Sequence, residues 1–348
     1  MRFVKGLLKV IAAGLVAVAI LCALLYVYNI TPTHIKNPKG NTDYVWPANS
    51  IWVKATEGIA FGKYDGNGYN NTTVVDNPDV IILGSSHMEA TNVMQDENAS
   101  YLLSKKLSGR YSVYNMGISG HHFFKVCQYL PANMELYEEA PLVTVVETST
   151  VDVPQSRVDQ VVSSSVEFTP SHNTGIVGTL QKVPFFRTVY HQMEGGLLQL
   201  FMPGADVNTK NADDDIIAVD ENKSGDADVD EAAYEELFSY LKEIEDKYGT
   251  QIIIFYHPTE KLTEDGTVYF SRDRELTEFR LCSEEYGISF IDMTDHFEKM
   301  YYEEHLVAHG FCTGKLAEGH LNKYGHAAVA DELYNEIIRL KEAGDLCR

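Results

Sequence analysis

An apolar run ends abruptly in small and polar residues at "VIILGSSH", residues 80–87. The Val, Ile and Leu residues are typical of a buried strand, and Gly84, Ser85 and Ser86 follow them directly. A strand that turns into a helix here places Ser86 at a helix N-terminus, where free backbone N–H groups favour a developing negative charge. Ser86 is therefore a candidate nucleophile. The competing interpretation is a polar turn after a core strand.

A nucleophilic serine needs donors for the oxyanion of a tetrahedral intermediate. The stretch "YNMGISGHH", residues 114–122, offers the backbone N–H of Gly120 or the side chain of Asn115. Gly117 and Gly120 let the backbone approach a ligand closely. The alternative is a glycine-rich turn that Asn115 caps.

The nucleophile also needs a base within hydrogen-bond reach. The segment "EGHLNKYGH", residues 318–326, places His320 in a loop before a final helix, from which it can reach back over the sheet. His326, on that helix, is expected to be a structural or capping histidine.

The elements that must position these residues alternate from residue 79 onward. Apolar runs bounded by glycine and proline predict strands at 80–84, 111–117, 141–148, 251–258 and 288–293. Amphipathic segments predict helices at 95–108, 121–139, 231–248, 271–286 and 322–342. The pattern predicts an α/β three-layer sandwich with a mostly parallel, five-stranded, flavodoxin-like sheet. The ligand site of such a sheet lies at the carboxyl ends of its strands.

The N-terminus predicts a single transmembrane helix. Val10 to Tyr28 carries no charge over 19 residues and follows Arg2, Lys5 and Lys9, which suffices to cross a hydrocarbon core of about 30 Å. The basic flank predicts a cytoplasmic N-terminus and an extracytoplasmic remainder. A cleaved signal peptide is the competing interpretation, but no A-x-A-like site follows.

The predicted domains are a transmembrane anchor at 1–30, a stalk and irregular lead-in at 31–75, and an α/β domain at 76–348. An insertion at about 151–230 interrupts that domain. Its segment 176–201 predicts one or two amphipathic helices, and Asp206 to Glu236, with twelve acidic residues and two lysines, is typical of a solvated loop.

Charge excludes one class of partner. Three of the 28 basic residues and none of the 50 acidic ones fall within residues 1–30, so the remainder is strongly acidic. Such a surface repels nucleic acid. Among the histidines, His87, His121 and His122 do not form a metal-binding spacing with His320, and neither a metal nor a cofactor is expected.

The blocks "LGSSH", "NMGISG" and "EGHLNKYGH" resemble, in this order, those of the SGNH or GDSL-like hydrolase superfamily. The resemblance implies Ser86 as nucleophile, Gly120 as the oxyanion glycine and His320 as general base, with Ser85 in the place of the usual aspartate. It implies acyl transfer through an acyl-enzyme, to water or to a sugar hydroxyl.

Two positions depart from the superfamily pattern. In "VVETSTVD", Val151 stands about where an asparagine is usual. Oxyanion stabilisation by a side chain is then expected from Asn115, Thr148 or Ser149.

The second departure concerns the acid. Ala317 replaces the aspartate three residues before the histidine, and Glu318 has the spacing used by some membrane-associated polysaccharide O-acetyltransferase relatives. Glu318 is therefore the expected acid. The alternatives are a Ser-His dyad or a distant carboxylate such as Glu147 or Asp152.

The resemblance and the anchor together imply a membrane-anchored serine esterase or O-acyltransferase acting on an acylated cell-envelope carbohydrate or a small ester. The anchor and the GSS variant also resemble anchored SGNH-like proteins of teichoic-acid D-alanylation, which implies a polytopic membrane acyltransferase as partner. The two departures motivate another hypothesis, a catalytically degenerate domain that binds glycan or a membrane partner.

Overall fold

The computed structural model describes residues 2–28, 30, 32, 34–55, 57–163, 230–263, 265–270, 272, 274–313 and 316–346. The helices expected at 176–201 and most of the acidic loop at 206–236 lie outside these residues. Within the N-terminal helix, the 22 residues Phe3–Leu24 are long and apolar enough to cross a membrane.

The regular elements follow a simple order along the chain. The strands are β1 (Ile35–Lys36), β2 (Tyr44–Val45), β3 (Ile51–Lys54), β4 (Ala60–Lys63), β5 (Val80–Leu83), β6 (Val113–Asn115), β7 (Val143–Thr148), β8 (Gln251–Tyr256), β9 (Glu260–Leu262), β10 (Val268–Phe270), β11 (Ser289–Asp292), β12 (His309–Gly310) and β13 (Leu316–Leu321). The described helices are α1 (Arg2–Tyr28), α2 (Ser86–Glu89), α3 (Ala99–Lys106), α4 (Phe123–Met134), α5 (Gln155–Val162), α6 (Glu231–Tyr248), α7 (Arg274–Tyr286), α8 (Thr294–Lys299) and α9 (Lys323–Ala343).

The main sheet has five strands in the order β11-β8-β7-β5-β6, and every neighbouring pair is parallel. If these five strands are renumbered 1 to 5 in chain order and read from β6 to β11, their order in the sheet is 2-1-3-4-5, as in flavodoxin-like folds. The predicted α/β fold is therefore confirmed. β5, the first strand of the sheet, lies between β6 and β7, so the chain leaves its carboxyl end at the point where the strand order reverses.

Alternate residues of β5 enter two separate hydrophobic cores. Ile81 and Leu83 pack with α4, α5, α6 and α7 on one face. Val80 and Ile82 pack with α3, α8 and α9 on the other face. Since both faces are covered, every side chain of the strand is buried, which explains the continuous apolar run in the sequence.

Within residues 31–75, the segment expected to be a stalk and irregular lead-in, the described residues form two antiparallel hairpins, β1–β2 and β3–β4. Trp46, Trp52 and Tyr64 are at most 5% exposed and form a small core of their own. The polar turn after β4 is ordered by Asp65, whose carboxylate accepts hydrogen bonds from the N–H groups of Asn67 and Tyr69. Aromatic burial and local hydrogen bonds order this stretch, and neither has a periodic sequence pattern that would have indicated the hairpins.

Candidate active site

Ser86 is the first residue of α2, the four-residue helix that follows β5. Ser85 caps this helix, and its Oγ accepts the N–H of His87 at 3.3 Å. The turn requires glycine at position 84, because a Cβ there would lie 2.7 Å from Glu147 Oε2. Small residues at positions 84–86 thus let the chain turn sharply and leave the Ser86 hydroxyl at the end of the sheet.

The structure brings Ser86 and His320 together although 234 positions separate them. Ser86 Oγ lies 2.8 Å from His320 Nε2. On the other side of the ring, His320 Nδ1 lies 2.7 Å from Glu57 Oε2, and the backbone N–H of His320 donates to Glu57 Oε1 at 2.7 Å. A hydroxyl, an imidazole and a carboxylate joined in this order form the arrangement that activates a serine for attack on a carbonyl.

Glu57 occupies the position that sequence analysis assigned to Glu318. Each imidazole nitrogen makes one in-plane hydrogen bond, and those of His320 are engaged by Ser86 and Glu57, so neither ring nitrogen remains for Glu318. Glu318 lies on β13, two residues before His320. Glu57 had no recognisable signal, because it lies in the turn between β3 and β4, within the stretch expected to be a stalk.

Two side chains hold the main chain at Glu57 and Gly58 in place. Asn92 donates its side-chain N–H to the carbonyl of Glu57 at 2.9 Å, and the Gly58 N–H donates to Thr313 Oγ1 at 2.9 Å. Gly319 adopts φ +90°, and a Cβ there would lie only 2.2 Å from Glu57 Oε1. The glycine before His320 therefore makes room for the acid.

The electrostatics of this pair favour an ionised acid. Burial by itself raises the pKa of Glu57, but the hydrogen bonds from His320 and the charge of that ring outweigh burial, so the net pKa lies below the usual value of 4.5. Side-chain exposure is 26% for Glu57 and 15% for His320. The pair is therefore shielded but still reachable by solvent, as proton exchange with a substrate requires.

β13 and α9 set the direction of His320. Asn322 caps α9, since its Oδ1 accepts the N–H groups of Tyr324 and Gly325. Its side-chain amide donates to the Val307 carbonyl at 2.8 Å. His326 lies deeper in α9, where its Nδ1 accepts the Ala99 N–H at 3.3 Å and burial lowers its pKa to about 3.

The turn that contains Gly120 lies against α2. The Ile118 N–H donates to the Gly84 carbonyl at 2.9 Å, and the Ser119 N–H donates to Glu89 Oε2 at 2.6 Å. Gly120 has φ +80°. In the described part of the chain, the backbone N–H groups of Gly120 and Ser86 have no hydrogen-bond acceptor, so both are available to an oxyanion.

Of the three side chains expected to assist the oxyanion, those of Asn115 and Thr148 make hydrogen bonds elsewhere. Asn115 donates to the Met88 carbonyl at 2.7 Å and accepts the Gly117 N–H at 2.9 Å, which ties β6 to α2. Thr148 Oγ1 donates to the Thr150 carbonyl at 2.5 Å and accepts the Thr150 N–H at 3.1 Å. Ser149 is exposed on the turn after β7.

Two buried glutamates that sequence analysis did not assign to these contacts support α2. Glu89, 1% exposed, accepts the Tyr64 hydroxyl at 2.6 Å as well as the Ser119 N–H. Glu147, 2% exposed, accepts the Ser85 N–H at 2.7 Å and contacts His257 Nε2 at 2.8 Å. The residue types alone gave no indication of these contacts, which connect segments far apart in the chain.

A group of three histidines lies beside the serine. Ring nitrogens of His87, His257 and His309 all lie within 4.8 Å of one another, close enough for a metal ion to bind them together. The ring of His87 is also 5.1 Å from that of His320, centroid to centroid. His121 is buried away from this group, against Tyr44 and Tyr129.

No protein-family model and no curated protein matches the chain at a significant level. Among solved structures, it is similar to the acetyl xylan esterase AlAXEase, with 13% identity, 74% of this chain and 99% of that chain covered, and a TM-score of 0.40. It is also similar to LAE5, an alpha/beta hydrolase enzyme from the metagenome of Lake Arreo, Spain, with 14% identity, coverage of 79% and 99%, and a TM-score of 0.37. A catalytic mutant of Axe2, an acetylxylan esterase from Geobacillus stearothermophilus, gives 14% identity, coverage of 76% and 95%, and a TM-score of 0.37. These values are too low to assign a family.

Proposed function

We propose that this protein is a serine-dependent esterase or O-acyltransferase whose catalytic residues are Ser86, His320 and Glu57. The observation that carries the proposal is the continuous hydrogen-bonded chain from Ser86 Oγ through His320 to Glu57, with contacts of 2.8 and 2.7 Å. The order of the motifs along the chain, which resembles that of SGNH hydrolases, supports the same assignment.

In the proposed reaction, Ser86 Oγ attacks the carbonyl carbon of an ester while its proton passes to His320 Nε2. Glu57 stabilises the imidazolium through Nδ1. The N–H groups of Ser86 and Gly120 donate to the oxyanion, and Asn115 holds α2 in position. Protonation of the alkoxide leaving group by His320 then completes formation of the acyl-enzyme, and an alcohol is released.

The acyl group leaves by the reverse sequence of proton transfers. His320 takes a proton from water or from a sugar hydroxyl, whose oxygen attacks the acyl carbon, and Ser86 recovers its proton from His320. Water gives a free carboxylic acid, and a sugar hydroxyl gives a new ester. The same residues thus serve an esterase or a transferase, and access of the acceptor decides between them.

The proposed substrate is an acylated carbohydrate polymer of the cell envelope or a small ester. The apolar helix α1 and its basic flank support a single-pass membrane protein with its N-terminus in the cytoplasm and its catalytic domain outside. A polytopic membrane acyltransferase is the proposed partner. The acidic composition after residue 30 argues against nucleic acid.

A fluorophosphonate probe, which labels activated serines, tests the proposal on the full-length chain in mild detergent. We expect labelling of the wild type, loss of labelling in Ser86→Ala, and unchanged labelling in Ser108→Ala, which alters an exposed serine in the turn after α3. Acetate release from a model ester, with and without a sugar acceptor, then separates esterase from transferase.

One observation favours a second candidate, a domain that binds glycan or a membrane partner without catalysis. The side chains of Asn115 and Thr148 make hydrogen bonds elsewhere, so neither is a ready donor for the oxyanion. A correctly folded wild type that resists the probe would support this candidate and refute the enzyme.

A further inference from the structure

His257 and His309 lie side by side beneath the proposed catalytic residues, each with a glutamate on its outer nitrogen. His257 Nε2 is 2.8 Å from Glu147 Oε1, and His309 Nδ1 is 3.4 Å from Glu260 Oε2. Their inner nitrogens, His257 Nδ1 and His309 Nε2, are 3.2 Å apart. All four side chains are at most 4% exposed.

Glu147 determines which ring nitrogen of His257 carries the proton. An ionised carboxylate only accepts hydrogen bonds, so His257 Nε2 must donate to Glu147. In a neutral ring, a proton on Nε2 leaves Nδ1 with a lone pair, and Nδ1 is the nitrogen that faces His309.

His309 faces conflicting demands. If its Nδ1 carries the proton toward Glu260, its Nε2 lone pair faces the lone pair of His257 Nδ1 at 3.2 Å, which is repulsive. If Nε2 carries the proton instead, the Nδ1 lone pair faces the Glu260 carboxylate. Among the described residues, His309 Nδ1 and Glu260 Oε1 have no hydrogen-bond partner. A positive charge beside His309, carried either by a proton or by a metal ion, removes the repulsion between these lone pairs.

The distances fit a metal ion. Zn²⁺ binds histidine nitrogen at about 2.0–2.1 Å, which places two ligand atoms of a tetrahedral site roughly 3.3 Å apart. The inner nitrogens of His257 and His309 are 3.2 Å apart. Carboxylates on the outer nitrogens are the usual device that orients zinc-binding histidines.

His87 supplies a third ring. Its centroid lies 4.4 Å from that of His257 and 5.9 Å from that of His309. Its Nδ1 accepts the Leu321 N–H at 3.2 Å, a hydrogen bond that His87 gives up or rearranges when it binds a metal. A proton joins only two of the rings, whereas a metal ion binds all three.

We infer that His87, His257 and His309 form a binding site for a divalent transition metal ion such as Zn²⁺. Three imidazoles favour Zn²⁺, Co²⁺ or Ni²⁺ over Mg²⁺ and Ca²⁺, which prefer oxygen ligands. The ion joins three segments that are distant in sequence: α2, the end of β8, and β12. Sequence analysis did not find the site, because the spacing of these histidines matches no metal-binding motif.

The test uses the full-length chain in mild detergent, purified without a polyhistidine tag. Metal content is measured by mass spectrometry after purification, and the stripped protein is titrated with Co²⁺ and Zn²⁺. We expect about one Co²⁺ per chain, with the absorption of tetrahedral Co²⁺, and its displacement by Zn²⁺. Stripped wild type that binds neither ion stoichiometrically refutes the site and leaves the shared proton as the explanation.

Variants then locate the ion. His309→Ala is expected to abolish binding, and Glu260→Gln to weaken it by about 10–100-fold. The matched control is His296→Ala, which removes a half-buried histidine bonded to Glu332 outside the group and is expected to bind Co²⁺ normally. Circular dichroism checks that each variant folds. Equal binding by folded His309→Ala and by the control contradicts the site.

The metal site does not depend on the proposed function. Ser86→Ala is expected to bind Co²⁺ as the wild type does while it loses fluorophosphonate labelling. The two proposals can therefore fail separately.

Discussion

Two histidines of the α/β domain each contact a glutamate, and their surroundings differ. His320 and Glu57 are 2.7 Å apart, with side chains 15% and 26% exposed. His257 and Glu147 are 2.8 Å apart, and each side chain is only 2% exposed. Of these two pairs, the first thus lies near solvent and the second in the interior.

The group on the far side of each imidazole also differs. His320 faces the hydroxyl of Ser86, which carries a proton that the ring can accept. His257 faces the nitrogen of His309, which competes for the same positive charge. A histidine that contacts a carboxylate therefore does not indicate a function by itself. The group on the other ring nitrogen decides whether the pair suits proton transfer, as proposed for His320, or cation binding, as proposed for His257.

The largest expected effect concerns the pair of His320 and Glu57. Glu57→Gln removes the charge that stabilises the His320 imidazolium, and we expect kcat for a model aryl acetate to fall by about 10⁴-fold. Glu318→Gln is the matched control and is expected to change kcat only slightly. A large loss in Glu318→Gln with little loss in Glu57→Gln would show that the acid is Glu318.

A smaller loss is expected from crowding the acid without removing it. In Gly319→Ala, the new methyl group would lie 2.2 Å from Glu57 Oε1, so the carboxylate must move. Misplacement of about 1 Å costs on the order of 10²-fold in rate. Gly344→Ala is the control, because Gly344 also has a positive φ, +85°, but has no heavy atom within 4 Å of the added Cβ. Both variants should lower the free energy of unfolding by about 1–2 kcal/mol, and only Gly319→Ala should lose activity.

The buried pair should respond mainly in stability. Both oxygens of Glu147 accept hydrogen bonds, from the Ser85 N–H and from His257 Nε2, and a glutamine offers only one accepting oxygen. Glu147→Gln should therefore lower the free energy of unfolding by about 2–3 kcal/mol, measured by urea denaturation in the presence of a chelator. The exposed Glu342→Gln is the control. A loss as small as that of the control would mean that Glu147 does not hold these donors in solution.

The smallest effect is the pH dependence that Glu57 contributes. Because folding lowers the pKa of Glu57, its contribution to stability is complete above the ordinary pKa of 4.5 and is lost as the pH falls through the lower folded value. Wild type should thus lose more unfolding free energy than Glu57→Gln between about pH 5 and about pH 3. Parallel stability curves for the two proteins would contradict the shift.

The sheet and the residues at its strand ends could be predicted, because both follow from local patterns. The apolar run before Gly84 marks β5, and parallel strands bring their carboxyl ends to one edge, where Ser86 and the Gly120 turn meet. The predicted helix at 231–248 agrees with α6 at both ends. Amphipathic periodicity of that length is a strong signal.

The acid and the histidine group could not be predicted in the same way. Glu57 reaches His320 only because the β3–β4 hairpin packs around Trp52 and Tyr64, and such packing has no period in the sequence. His257 and His309 are 52 positions apart and meet through the fold. Side chains brought together by loops therefore need the structure, whereas those at strand ends follow from the strand pattern.

The proposed acid and base lie 263 positions apart in the chain, with the nucleophile between them. During synthesis, Ser86 and Glu57 leave the ribosome long before His320. A nascent or truncated chain that ends before residue 320 contains an ordinary alcohol with nothing to withdraw its proton. Esterase activity of the proposed kind can therefore begin only after β13, which carries His320, has folded next to α2.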